Sequence, residues 1–259
     1  MNNTFSLNRF VLLFKKHTLE HAKTYLLSIA VLAGVIALML SFLAYMNDGV
    51  LGESAQGLIF IYCIAFAGSI FTSLSFTDLG NKRKATQALT LPASHFEKYL
   101  VAWIYTFIIF QLVCVGLFYL VDWTVLSVIT PHPPFKNTLV NILDTEQKAY
   151  LGFIAFAVFH GLAIWGAIFF EKLHFIKTAF VFFIYIIFFG IIGEPLLHLI
   201  TGKDYFHGAP FGPLYFPENK QVLHIRPDDN MNYTTLVVLG IAIVIFWISA
   251  FFRLKEKEI

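Results

Sequence analysis

Charge is scarce in this sequence. Asp, Glu, Lys and Arg make up 13% of the 259 residues, about half the share found in soluble globular domains. A water-facing chain needs charged groups to cover its surface, so this deficit excludes an ordinary soluble domain. It is resolved if much of the surface faces hydrocarbon. A net charge of +2 gives no reason to expect a nucleic-acid partner. Cysteine is also rare. Cys63 and Cys114 each lie inside an apolar run, where a free thiol behaves as a small buried hydrophobe rather than half of a disulfide or metal pair. No stretch is long and polar enough to form a separate soluble domain. The G-x-x-x-x-G-K-[ST] phosphate loop is absent, and so is H-E-x-x-H. The chain is therefore not expected to hydrolyse ATP itself, and if ATP drives its function a separate protein would hydrolyse it.

What is abundant is apolar. Hydrophobic residues form 58% of the chain, 30 of them Phe, and mean hydropathy is +0.73. A bilayer core of about 30 Å takes roughly 20 mainly apolar helical residues. Six stretches qualify: 24–46, 55–76, 98–121, 149–170, 177–200 and 233–253. The fifth is the weakest, because Gly190, Gly193 and Glu194-Pro195 interrupt its far end. It runs either over the whole of 177–200 or only to about Ile192, with 195–200 as a separate short piece. No cleavable signal peptide is expected, since the segment before the first run is too long and the run exceeds a signal h-region. These features predict an all-α integral membrane protein forming one transmembrane domain.

Lys and Arg divide unequally between alternate loops. Thirteen fall on the side that holds the N-terminus, the 77–97 loop, the 171–176 turn and the C-terminus, and five on the other. The positive-inside rule places the first set, and both termini, in the cytoplasm. Acidic residues such as Asp48, Asp122 and Asp144 lean toward the opposite side.

Two cytoplasmic pieces stand out. In the segment before the first span, Leu7, Phe10, Val11 and Phe14 recur at i, i+3, i+4 and i+7. This predicts an amphipathic helix within 1–23, lying in the interface with its basic side toward anionic head groups. It serves either as an anchor or as a lever that touches a partner. In the 77–97 loop, Asp78 lies beside a Gly80-Asn81 turn, and Lys82, Arg83 and Lys84 follow. Ala85–Leu91 can form a short helix that Pro92 stops, and Ser94 with Glu97 makes an S-x-x-E capping box opening the third span. One reading is an ordinary basic loop. The other is a rigid handle that moves spans two and three together.

This loop, ending L-P-A-S-x-x-E-K-Y-L, resembles that of ABC-2 type transporter permeases, particularly the small permease-like proteins of Bacteroidota. The six-span plan, the amphipathic N-terminal helix and the longer outer segment before span six fit the same family. The specific match covers about 25 residues, and the Phe-rich spans depart from better-known exporters. The resemblance implies a bacterial inner-membrane permease-like bundle. It would work as a homodimer, or with a paralogous permease subunit, bound to separate ABC ATPase subunits that carry ATP and Mg. It also implies that about Thr77–Leu91 supplies a coupling helix, with Asp78, Lys82, Arg83, Lys84 and Glu97 as the ATPase-coupling residues. The N-terminal helix would be the connecting helix, and the 201–232 segment would close the outer exit.

Other candidates lie within the spans. Ala65, Ser69 and Ser73, with Gly68 and Thr72 beside them, form a small-residue stripe on span two, suited to helix packing, a subunit contact or a weakly polar pathway. Ala30 and Gly34 on span one, with Ala33 and Ala37, form a shorter stripe that could pack on it. His160 lies mid-membrane in span four, where a neutral ring bonded to a neighbouring helix suffices. Gln111 in span three could be its partner. Glu194 and His198 are four apart near the outer end of span five and could pair at the lip of a pathway. The outer histidines His132, His207 and His224 lack metal-ligand spacing.

A transport subunit is the leading expectation. A membrane-embedded hydrolase is a rival, with Glu194 and His198 its nearest candidate pair. A non-transporting scaffold or immunity-type protein is another.

Overall fold

The computed structural model describes residues 5–80, 93–144, 147–170, 173–202, 206–207, 214–218, 221–225 and 229–256. Hydrocarbon offers no partner to backbone N–H and C=O groups, so an apolar chain there satisfies them internally as helix. Helix α1 (Leu7–Met46) is span one. Span two is α2 (Glu53–Tyr62), a π-helical turn (Cys63–Ala67) and α3 (Gly68–Gly80). Span three repeats that plan as α4 (His95–Trp103), a π-helical stretch (Ile104–Ile109) and α5 (Phe110–Val128). Spans four, five and six are α6 (Leu151–Phe169), α7 (His174–Thr201) and α8 (Asp229–Glu256). Among the described residues, six helices are thus long and apolar enough to cross a membrane.

The start of α1, the start of α4 and the end of α8 meet at one end of the bundle, here called proximal. Arg9 reaches Glu97, and the Phe96 ring lies 6.0 Å from that of Phe251. The opposite, distal end carries the turn after α1 and the segment before α6. The turn is sharp. Asp48 and Gly49 both have positive φ, and the Gly49 amide donates back to the Ala44 carbonyl at 2.8 Å. A Cβ at Gly49 would sit 2.8 Å from the Thr130 carbonyl oxygen, so the close approach also requires glycine.

Two apolar clusters fill the bundle. The distal one joins Ile36 and Leu40 of α1, Phe60 and Ile64 of span two, Cys114 and Phe118 of α5, and Phe156 of α6. The proximal one joins Phe76, Tyr99, Ile164, Ile168, Ala250 and Leu254. Cys63 and Cys114 are buried and free of disulfides, within or beside this packing.

One feature differs from the expected one, and two others take a definite form. The amphipathic segment is not a separate interfacial helix. It runs on into span one as a single 40-residue helix, about 60 Å long, because no proline precedes Pro92 and nothing breaks the backbone near residue 23. The break at 23/24 is one of composition only. Helix α7 continues through Pro195 to Thr201, in line with the 177–200 stretch, while its part apolar enough to cross a membrane, Phe175–Ile192, ends where Gly193-Glu194-Pro195 begins. A proline removes one intrahelical bond, and membrane helices absorb such a loss. The 201–232 segment contains a small antiparallel sheet in the order β1-β2-β3: Phe206–His207, Leu214–Glu218 and Gln221–Ile225. The β2–β3 hairpin closes at the Glu218–Gln221 pair.

Candidate functional site

At the proximal end, Glu97 is the organising residue. It is the third residue of α4, and its side chain returns to the Ser94 amide at 2.8 Å while the Ser94 hydroxyl takes the Glu97 amide at 3.2 Å. The expected capping box is present. The other carboxylate oxygen accepts the Ser6 amide at 2.7 Å and the Arg9 guanidinium at 3.2 Å. Glu97 is fully buried. One carboxylate thus caps two helix starts, those of α1 and α4, where the helix dipole favours a negative charge. This differs from the expected role of Glu97 as a contact for an ATPase, because its oxygens are committed within the chain. Asp78 lies in α3, but its side chain lies outside the described residues. So do Lys82, Arg83 and Lys84, together with the proposed helix at 85–91.

Above this anchor, the first half of α1 lies against Tyr105 in the π-helical stretch of span three. Phe14 and His17 lie 4.8 and 4.7 Å from its ring, and Tyr25 stacks on it at 5.4 Å. The Thr18 hydroxyl bonds to the Tyr105 hydroxyl, and the Tyr25 hydroxyl bonds to His17 Nε2 at 2.7 Å. The next residue, Thr106, faces a different helix.

Thr106 meets His160 Nε2 at 3.0 Å, and the Trp247 indole N–H donates to His160 Nδ1 at 3.2 Å. Indole nitrogen only donates, so Nδ1 is bare and the proton of the neutral ring is on Nε2. Nε2–H then donates to Thr106, whose own hydroxyl donates to the Ala102 carbonyl at 2.9 Å. Every donor is used. His160 is therefore a neutral tie between spans three, four and six, fully buried beneath Phe107 and Phe156. Gln111, the candidate partner, instead bonds the Phe107 carbonyl of its own helix.

The stripe on span two is buried. Ala65, Ser69, Thr72 and Ser73 are each no more than 6% exposed. A Cβ at Gly68 would land within the Phe156 ring of span four. Ser69 and Thr72 donate back to the carbonyls of Ala65 and Gly68. The stripe thus packs spans two and four together and presents no surface to a second subunit. Gly34, the matching glycine on span one, has nothing near its Cβ position, and Ala30 is exposed with it. Of that stripe, Ala33 and Ala37 pack against the cluster that holds Phe60 and Ile64 of span two, and Ala30 and Gly34 do not.

The distal end is closed by polar contacts that the sequence did not announce. Gln56 is fully buried and donates to the carbonyls of Leu51 and Thr138 while accepting the Val140 amide. Asn137 bonds the Leu51 amide and the Gly49 carbonyl. The Thr138 hydroxyl reaches Glu53 at 2.6 Å, and Tyr119 accepts the Ile142 amide. Asn and Gln pair readily with main chain, so an isolated Gln in an apolar run was the one available signal. His198 is exposed near the end of α7, and the Glu194 side chain lies outside the described residues. No group of three His, Cys, Asp or Glu close enough to hold a metal occurs among the described residues.

The fold is that of a multi-pass helical membrane protein, with six helices of spanning length. No family model, no curated protein and no solved structure matches the chain.

Proposed function

We propose that the chain is the membrane-spanning permease subunit of an ATP-driven ABC transporter, working as an exporter with a separate ATPase that binds ATP and Mg. In this reading the proximal end is cytoplasmic and the 77–91 segment docks on the ATPase. The observation that carries it is Glu97. The carboxylate that opens span three directly after that segment also holds Ser6 and Arg9 at the start of α1. A push on the segment would then move spans one, two and three together. Rearrangement of spans by force from a partner is an established route to alternating access. The membrane is a bacterial inner membrane, and a second permease subunit completes the assembly.

The test is co-purification from the native membrane in mild detergent. The expected result is recovery of an ATPase subunit with the tagged chain, lost when Lys82–Leu91 is replaced by alanines while the chain still inserts. Recovery of no ATPase, or unchanged recovery with the alanine variant, overturns the reading.

A further inference from the structure

Among the described residues, Asp122 stands out because its surroundings contradict its ordinary charge. It lies in α5 at the distal end and is fully buried, and neither carboxylate oxygen has a hydrogen-bond partner. Its neighbours along the helix, Phe118, Val121 and Val125, belong to the distal apolar cluster. The elements packed on α5 bring no counter-charge. Helix α1 has no acidic or basic residue between Lys23 and Asp48, and Asp48 is exposed. Glu53 of α2 is engaged by Thr138. Lys136 and Lys148, in the segment before α6, are both exposed, and Asp144 there has the same sign as Asp122. None of these forms an ion pair with Asp122 among the described residues.

A carboxylate stripped of water and given neither a cation nor a donor is among the costliest groups a fold can hold. Such a group sheds its charge instead. We propose that Asp122 is a proton-binding site that holds the distal end closed when occupied. In the closed structure the group is a neutral carboxylic acid. On release its O–H bond breaks, the proton passes to solvent water and the negative charge stays on the carboxylate, which must then reach water. The nearest boundary is the distal cap. Tyr119, one turn before Asp122, accepts the Ile142 amide of that cap, so hydrating Asp122 loosens this contact. The inference does not depend on the transport reading.

The sign follows from linkage. Proton release accompanies opening of the distal end, so a fall in pH favours the closed form and a rise in pH favours the open, less stable one. The test uses the full chain in nanodiscs, as wild type, Asp122→Asn and Asp122→Leu. Infrared difference spectra between wild type and Asp122→Asn should show the carbonyl stretch of a protonated carboxylic acid. The wild-type melting temperature should fall by about 3 °C or more between about pH 5 and about pH 8 relative to both variants. Amide exchange at Val140 and Ile142, corrected for its intrinsic pH dependence, should accelerate with pH in wild type alone. Absence of the band, or equal pH slopes in all three proteins, overturns the proposal. So does failure of both variants to fold at low pH, because that would show the anion itself to be required. Unchanged exchange at the two amides would remove the link to the cap.

Discussion

The indole N–H of Trp247 on span six points at Nδ1 of His160 on span four, 3.2 Å away, and Thr106 on span three takes the other ring nitrogen. Interhelical hydrogen bonds in membranes contribute about 0.6 kcal/mol on average and up to about 1.7. Trp247→Phe keeps a ring and loses the donor, so it should cost within that range. His160→Ala loses both bonds and a buried ring, and should cost about 2–4 kcal/mol. Thermal unfolding in one detergent should rank them in that order. Equal costs would mean that His160 acts by volume alone.

Glu97 and Arg9 should not be equivalent. Glu97→Gln places an amide N–H₂ among the Ser6, Ser94 and Arg9 donors, leaving buried donors facing one another. Breaking a buried ion pair from one side typically costs about 3–5 kcal/mol. Arg9→Met should cost less, because the Arg9 side chain is 33% exposed and Glu97 keeps two backbone donors. Urea or thermal unfolding of the two variants checks the order.

Three glycines separate packing from mere smallness. Gly68→Ala must displace the Phe156 ring, and Gly166→Ala collides with the Thr178 side chain. Each should destabilise by about 1–3 kcal/mol. Gly34→Ala meets open space in the interior of α1 and should be neutral or stabilising by up to about 1 kcal/mol. Melting temperatures of the three variants measured side by side decide this.

Gln56→Leu leaves the Val140 amide and the Thr138 carbonyl without their partner, at about 1–3 kcal/mol. The loss should be local. Protease nicking and hydrogen exchange are expected to rise around residues 137–149 while the proximal helices stay protected.

The six helices were legible in the sequence because hydrocarbon thickness and helix rise fix the length of an apolar run, and the runs are long. The capping box was legible because Ser94 and Glu97 are three apart and act locally. What Glu97 does beyond its own helix was not, since Ser6 and Arg9 lie some 90 positions away. The partner of His160 was not legible, because which residue of span three meets the ring is set by how the helices pack. Thr106 meets it, while Gln111, five residues on, bonds the Phe107 carbonyl. The glycines of spans one and two read alike in sequence, and only the fold shows that Gly68 is covered and Gly34 bare. Asp122 was read with the other distal acids, because nothing in its local sequence marks it as buried.

The central claim is a bundle crossing the bilayer six times, with the start of α1 and the end of α8 at the proximal face. Single cysteines placed at Ser6, Asp48, Lys136 and Lys255 in a cysteine-free background, labelled in intact cells with a membrane-impermeant maleimide, test it directly. The account predicts labelling at 48 and 136 from outside, and at 6 and 255 only after the membrane is opened. Labelling of 6 and 255 from opposite sides would contradict it.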